Sequence, residues 1–206
     1  MKILKYILYA IIALVVIFLL MGMMNPEISY GHKITVDKSA KEAWAVSQDE
    51  DLYKDWLEGF QSMELLEGEK GKAGSKYKIV VNPGDGQDDF EMVETLLDIQ
   101  EFKEVTMTFD SDMMGFDQTI YFEEEDGKTN IWSDSKVKGK GIMMKSMFAV
   151  MEILGGSFTA QEAKNFEALK VLINENTKDY FPAPEPIMEE GEEEGAAEAT
   201  AEATEG

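Results

Sequence analysis

The stretch Val105–Phe122, VTMTFDSDMMGFDQTIYF, decides the fold class because apolar and polar side chains alternate along both of its halves. The first half, VTMTF, and the second half, FDQTIYF, each place every second side chain on one face of an extended chain. Met114-Gly115 lies between them and provides turn chemistry. The stretch therefore predicts two antiparallel strands that bury one face against a core.

Similar alternation elsewhere in the chain predicts further strands, which are centred on Ile28–Val36, Met63–Leu65, Tyr77–Val81, Phe90–Ile99 and Ile131–Val137. Two short helices are expected between the first of these strands and the second. Ser39–Glu42 has the spacing of a capping box, and the acidic residues from Asp49 open a second helix that ends near Phe60.

The last ordered region is helical. Met143–Leu154 is apolar on nearly all sides and is followed by Gly155-Gly156. Thr159–Glu162 is a second capping-box pattern, and it opens an amphipathic helix that continues to about Asn176. Only this helix can cover the inner face of the sheet. We therefore predict an α+β fold of the helix-grip type, in which a curved antiparallel sheet of about seven strands wraps around one long C-terminal helix.

The N-terminus carries an uncharged run of 19 residues, Tyr6–Met24, which would be about 28 Å long as a helix. That length matches the hydrocarbon core of a bilayer and predicts a single transmembrane anchor over residues 1–25. A cleaved signal peptide is the alternative, although no A-x-A pattern follows the run. Lys2 and Lys5 precede it, and Lys33, Lys38 and Lys41 follow it, so the count of positive charges gives no clear bias. The lysines at the N-terminal end lie tight against the run, which favours a domain outside the cytoplasm.

Composition excludes several classes of protein. The formal net charge is −22, and all 19 basic residues are lysine. An acidic chain without arginine is a poor nucleic-acid binder, so we expect no nucleic-acid partner. Because the chain has no cysteine and one histidine, thiolate catalysis and Cys- or His-ligated metal clusters are excluded. We expect no cofactor and no metal, and composition leaves the oligomeric state open.

Residues 26–182 have the size of one ordinary domain. Residues 183–206 are expected to form a disordered tail, because Glu185–Gly206 contains nine glutamates and no lysine. This tail is either an interaction segment or a solvating appendage.

Two segments resemble a known superfamily. Ser39–Trp44, SAKEAW, resembles the opening helix of the START/Bet v 1-like superfamily, particularly the polyketide cyclase-like or SRPBCC proteins. Trp56, followed by Gly68 and Gly74, resembles the tryptophan of their second helix and the glycine-bearing hairpin after it. The resemblance covers about Gly31–Asn176. It implies an apolar cavity for lipids, polyketides or other hydrophobic molecules, and it implies no particular catalytic residue.

The predicted ligand-binding residues are aromatic, methionine and aliphatic side chains expected on inward-facing positions: Trp56, Tyr77, Met92, Phe109, Ile120, Trp132, Met147 and Phe166. The alternative is that these side chains simply pack the core, and for any single one of them that alternative is preferred. His32 lies in phase with the apolar face of the first strand and is a possible polar handle for a ligand. The Met143–Leu154 helix is either a lid hinged at the two glycines or a buried helix with a glycine break.

Three functions fit these features. The first is a membrane-tethered binding or transport module for a hydrophobic small molecule or lipid. The second is a polyketide cyclase-like or hydrolase-like enzyme, with His32, Glu58 or Asp98 as the polar group. The third is a protein-interaction or co-chaperone-like module that acts through the acidic surface and tail.

Overall fold

One antiparallel sheet of eight strands forms the body of the protein, in a computed structural model that describes residues 2–182 apart from residues 83, 85 and 87. The strands are β1 (Ile28–Tyr30), β2 (Lys33–Val36), β3 (Phe60–Glu67), β4 (Lys76–Val81), β5 (Phe90–Gln100), β6 (Glu104–Asp110), β7 (Met114–Glu125) and β8 (Lys128–Gly139). The helices are α1 (Lys2–Met24), α2 (Ala40–Ser47), α3 (Tyr53–Trp56), α4 (Gly141–Gly155) and α5 (Ser157–Glu175). The strand order is β1-β8-β7-β6-β5-β4-β3, and β2 also pairs with β8. The acidic tail predicted over residues 183–206 lies outside the described residues.

The first predicted strand is divided into β1 and β2 at Gly31-His32. Gly31 passes so close to β8 that a Cβ atom there would lie 2.2 Å from the carbonyl oxygen of Ser133. The backbone N–H of His32 donates to the Ser133 hydroxyl over 3.2 Å, and the Ser133 N–H donates to the His32 carbonyl over 3.1 Å. These contacts hold the break between the two strands in place.

The two short helices differ in how well the sequence predicted them. The capping box of α2 is confirmed, because the Ser39 hydroxyl accepts from the Glu42 N–H and the Glu42 carboxylate accepts from the Ser39 N–H. The second helix is shorter than predicted. It consists of a 3-10 turn and α3, after which Gly59, with a φ of +78°, leads the chain into β3.

The C-terminal helical region is bent by 65° between α4 and α5. Gly156 lies at the bend and has a φ of +57°, in the left-handed region that favours glycine. The second predicted capping box is wrong, because α5 begins at Ser157 and Thr159 lies inside the helix. Its hydroxyl donates to Glu152, while the Glu162 side chain is buried beneath the sheet.

The main core lies between α5 and the inner face of the sheet. Phe166, Leu169 and Ile173 project from one side of α5 and are almost completely buried. They recur at three or four residues, which is the spacing of one helical face. A smaller apolar cluster, built from Ile28, Val137 and Phe148, lies beneath α4. One long helix gripped by an antiparallel sheet confirms the predicted α+β helix-grip fold.

The N-terminal helix α1 is long and apolar enough to cross a membrane or to serve as a signal sequence. Most of its side chains are exposed. Its last turns pack against α4, and Gly22 lies so close to Ser146 that an added Cβ atom would be 2.4 Å from the Ser146 backbone nitrogen.

Candidate functional site

Six of the eight predicted ligand-binding side chains belong to the interior between the sheet and α5. Trp56, Tyr77, Ile120 and Phe166 are buried in the main core cluster, and Met92 and Phe109 are partly buried against it. The alternation of the strands places the four strand residues, Tyr77, Met92, Phe109 and Ile120, on the face toward α5. Trp56 is contributed by α3 and Phe166 by α5. Whether these residues bind a ligand or only pack the core stays a prediction.

Trp132 and Met147 lie elsewhere, and their predicted inward placement is wrong. Trp132 is out of phase with its buried neighbours Ile131 and Ser133, so it lies on the outer face of the sheet, stacked on Tyr121 with 5.0 Å between ring centroids. Met147 lies on the exposed side of α4, 40% exposed.

Glu94 is the polar side chain of this interior that the sequence reading missed. It lies on β5 opposite Tyr77 of β4 and Phe109 of β6, and it is only 7% exposed. Burial, with a smaller contribution from the negative charge of Glu50, raises the pKa of Glu94 to about 7. Period-two phasing would have found this residue, because Glu94 occupies the inward position between Met92 and Leu96.

The indole of Trp56 is a second polar group in this interior. The indole nitrogen Nε1 of Trp56 is buried, and no described residue accepts its hydrogen bond. Tyr53 lies beside both groups. Its ring packs edge-on against Trp56, with 6.1 Å between centroids, and burial followed by the charge of Glu94 raises the pKa of its hydroxyl.

The hydroxyl of Tyr77 is hydrogen-bonded to the hairpin that leads into β4. It accepts a hydrogen bond from the Gly71 N–H over 2.7 Å. The glycine-bearing turn is thereby connected to the interior.

His32 lies at the rim between β1 and β2, facing α5. Its Nε2 atom is 3.3 Å from Oε1 of Glu167, and its ring packs edge-on against Phe166. Its side chain is 28% exposed. Of the two acidic residues considered with it, Glu58 is exposed and paired with Lys164, and Asp98 is exposed on β5. These three side chains therefore do not converge on the Glu94 region.

Glu162 of α5 is a second buried carboxylate, 7% exposed. Its Oε1 atom accepts hydrogen bonds from Ser133 Oγ over 2.6 Å, Ser135 Oγ over 2.9 Å and Gln118 Nε2 over 2.9 Å. The three donors come from β7 and β8. Glu162 therefore attaches α5 to the sheet through charge-assisted hydrogen bonds and is already satisfied by the protein.

Within the described ranges, no group of three or more histidine, aspartate or glutamate side chains is placed to hold a metal ion. The interior around Glu94 is an apolar core that contains the buried carboxyl group of Glu94 and the indole N–H of Trp56.

The sequence matches no family model and no curated protein sequence. Solved structures do share the arrangement. Ara h 8.0201 is 16% identical, with a TM-score of 0.55 over 73% of this chain and 99% of that one. Norcoclaurine synthase from Thalictrum flavum, solved in complex with dopamine and hydroxybenzaldehyde, is 16% identical, with a TM-score of 0.53 over 74% of this chain and 90% of that one.

The di-domain ARO/CYC BexL from the BE-7585A biosynthetic pathway is 15% identical, with a TM-score of 0.54. The match covers 74% of this chain and 52% of BexL, so this chain corresponds to about half of that protein. At these identities the likeness concerns the fold. The chain has the Bet v 1-like helix-grip fold that these proteins share.

Proposed function

We propose that this chain is a membrane-tethered binding or transport module that holds a hydrophobic small molecule or lipid between the sheet and α5. The observation that carries the proposal is the buried indole N–H of Trp56, which has no protein acceptor and lies in the same interior as the buried carboxyl group of Glu94. In the part of the chain that the structure describes, the Trp56 indole N–H has no acceptor, and burial raises the pKa of the Glu94 carboxyl group to about 7.

Such groups are uncommon in native proteins, because a buried donor or acceptor without a partner costs about 1–3 kcal/mol. A bound molecule with an apolar body and one polar group would remove that cost. Its apolar part would contact Tyr77, Met92 and Phe109, which adjoin Glu94 on the inner face. Pockets that bind small molecules commonly combine apolar walls with a few polar groups in this way.

The membrane tether is the second component of the proposal. The helix α1 spans Lys2–Met24, its charged residues lie only near its N-terminal end, and most of its side chains are exposed. Exposure of such an apolar surface to water is unfavourable, whereas a bilayer would bury it. We further propose that the domain faces the outside of the cytoplasm, because Lys2 and Lys5 precede the apolar run.

Native mass spectrometry of the full chain, released from mild detergent after expression in cells, tests the binding proposal. We expect an additional mass that corresponds to an apolar molecule with at least one polar group. Trp56→Phe removes the indole N–H but keeps an aromatic ring, so the bound fraction should fall in this variant. Trp132→Phe is the matched control, because Trp132 lies on the outer face and its replacement should leave the bound fraction unchanged. A wild-type chain that is ligand-free in every preparation would overturn the proposal.

A cyclase-like or hydrolase-like enzyme is the second candidate, and Glu94 is the observation that favours it. A carboxyl group with a pKa of about 7 can donate or accept a proton near neutral pH. Glu94→Gln keeps the shape of the side chain and removes the titratable proton. If the chain is an enzyme, the molecule that co-purifies with Glu94→Gln should be the unconverted substrate. It should differ from that of the wild type in mass or, if the reaction is an isomerising ring closure, in chromatographic retention. Identical masses and retention times would support binding without turnover.

A further inference from the structure

The helix α4 presents an apolar surface that nothing in the described part of the chain covers. Met143, Met147, Met151 and Leu154 recur at four, four and three residues, so they form one stripe along the helix, and we call this set the α4 stripe. These side chains are between 40% and 79% exposed. The opposite side of α4, which contains Ser146, Phe148 and Ala149, is buried.

The contact between α1 and α4 shows where the α4 stripe lies relative to the apolar helix α1. Residues 3–17 of α1 are exposed, whereas Phe18, Leu19 and Met21 are partly buried and Gly22 is buried where α1 meets α4. The contact therefore lies in the last two turns of α1. From Phe18 to Met24 the helix rises about 9 Å, so the point at which α4 contacts α1 lies within that distance of the end of the span.

An amphipathic helix that lies in a membrane interface buries its apolar face by about 5–10 Å, which agrees with this position. The stretch Ser146–Met151 of α4 contains no charged residue. Exposed apolar patches on soluble proteins are usually small, and larger ones indicate an interaction surface. Ser146, which Gly22 of α1 approaches, directly precedes Met147 of the α4 stripe. The occupant that covers α1 can therefore reach the stripe as well.

We infer that α4 is an interfacial membrane helix, whose α4 stripe contacts the acyl chains of the leaflet in which α1 ends. This inference rests on the proposed membrane tether and goes beyond it. It gives the domain a second, lateral contact with the bilayer and thereby fixes which end of the sheet faces the lipid. That end carries the smaller apolar cluster of Ile28, Val137 and Phe148.

Single-cysteine variants of the full chain test the inference, and no native cysteine interferes with labelling. Met147→Cys reports on the α4 stripe, and Met143→Cys is a second position in case the first variant fails to fold. Val171→Cys on α5 is the matched control. Val171 is also an exposed apolar helical residue, but its neighbours four residues away are Glu167 and Glu175, whereas those of Met147 are Met143 and Met151. Val15→Cys reports on α1 itself.

Each variant is labelled with an NBD fluorophore and reconstituted into vesicles of phosphatidylcholine and phosphatidylglycerol. Some of the lipid carries a nitroxide, either near the headgroup or near the end of the acyl chain. We expect the label at position 147 to lose about half of its emission to the shallow nitroxide and less to the deep one, as an interfacial position requires. The label at position 171 should lose none, and the label at position 15 should be quenched.

The outcomes separate the two proposals. Quenching at position 15 without quenching at positions 147 and 143 would overturn the inference and leave the tether intact. Quenching at position 147 without quenching at position 15 would support α4 as an interfacial helix and overturn the spanning anchor. Absence of quenching at all three positions would overturn both. Efficient disulfide-linked dimers of unlabelled Met147→Cys in vesicles would identify a second copy as the occupant and would also overturn the inference.

Discussion

Glu94 combines two properties at the scale of a single residue, since it is buried and it titrates near neutral pH. An ordinary glutamate has a pKa of 4.5, and burial raises the pKa of Glu94 to about 7 in the folded chain. Between these pH values the folded state therefore binds more protons than the unfolded state. The stability that Glu94 contributes is complete below the lower value and is lost as the pH rises through the upper one.

Glu94→Gln should remove this dependence on pH. We expect the free energy of unfolding of the wild type to decrease by an amount on the order of 3 kcal/mol between about pH 4.5 and pH 7 through this residue. The variant should lack that decrease and should unfold at a higher temperature than the wild type at about pH 8. Thermal unfolding of the full chain in mild detergent, followed by tryptophan fluorescence, measures both. Glu91→Gln, at an exposed position of the same strand, is the control and should follow the wild type. Parallel pH profiles for Glu94→Gln and the wild type would show that Glu94 does not titrate in this range.

The two buried carboxylates show the limit of sequence reading at this scale. Glutamate side chains are almost always exposed. A glutamate at an inward-facing position of a strand therefore departs from the usual alternation of buried apolar and exposed polar side chains. The sequence predicts a capping box that includes Glu162, because Thr159 lies three residues before it. Its role depends on donors from residues 118, 133 and 135, which are distant in sequence, so no local motif could predict it.

At the scale of secondary-structure elements, the junction of α4 and α5 depends on one backbone conformation. Gly156 has a φ of +57° and no atom within 4 Å of an added Cβ atom, so a substitution there is opposed by backbone strain and not by a clash. Gly155→Ala is the matched control, because Gly155 ends α4 and its added Cβ atom would meet Ser157 Oγ at an ordinary 3.6 Å.

Gly156→Ala should therefore destabilise the chain by about 1 kcal/mol, while Gly155→Ala should be neutral or slightly stabilising. The midpoints of thermal unfolding of the two variants and the wild type measure the difference. If both variants unfold at the wild-type temperature, the left-handed conformation at Gly156 is not required for the bend.

The sequence predicts a helix or strand correctly where the periodicity of its apolar residues and its local capping or turn residues indicate the same element. The hairpin Val105–Phe122, the capping box at Ser39 and the apolar face of α5 all follow from residues within a few positions of each other. The division of the first strand was not predictable, since it depends on the approach of Gly31 to Ser133, about a hundred residues away in sequence. The predicted inward position of Trp132 is wrong because Trp132 alternates with the buried side chains of Ile131 and Ser133.

At the scale of the whole molecule, the proposed membrane contacts and the proposed ligand site lie in different parts of the sheet. The contact of α1 with α4 lies beside β1 and β8, and Glu94 lies on β5, four positions along the sheet from β1. Adjacent strands are about 4.8 Å apart, so about 19 Å separates them across the sheet. Rings in successive contact from Phe109 through Phe116, Tyr30 and Phe158 to Phe148 connect the two regions.

Orientation in the membrane decides which compartment supplies the proposed ligand. Because Lys2 and Lys5 precede the apolar run, we expect the N-terminus to lie in the cytoplasm and the domain to lie outside it. Val171→Cys should then react with a membrane-impermeant maleimide in intact cells or spheroplasts, whereas Lys2→Cys should react only after the membrane is permeabilised. The two variants carry the same chemistry on opposite sides of α1 and thus control for each other. Protection of position 171 together with labelling of position 2 in intact cells would reverse the orientation and place the proposed ligand-binding interior in the cytoplasm.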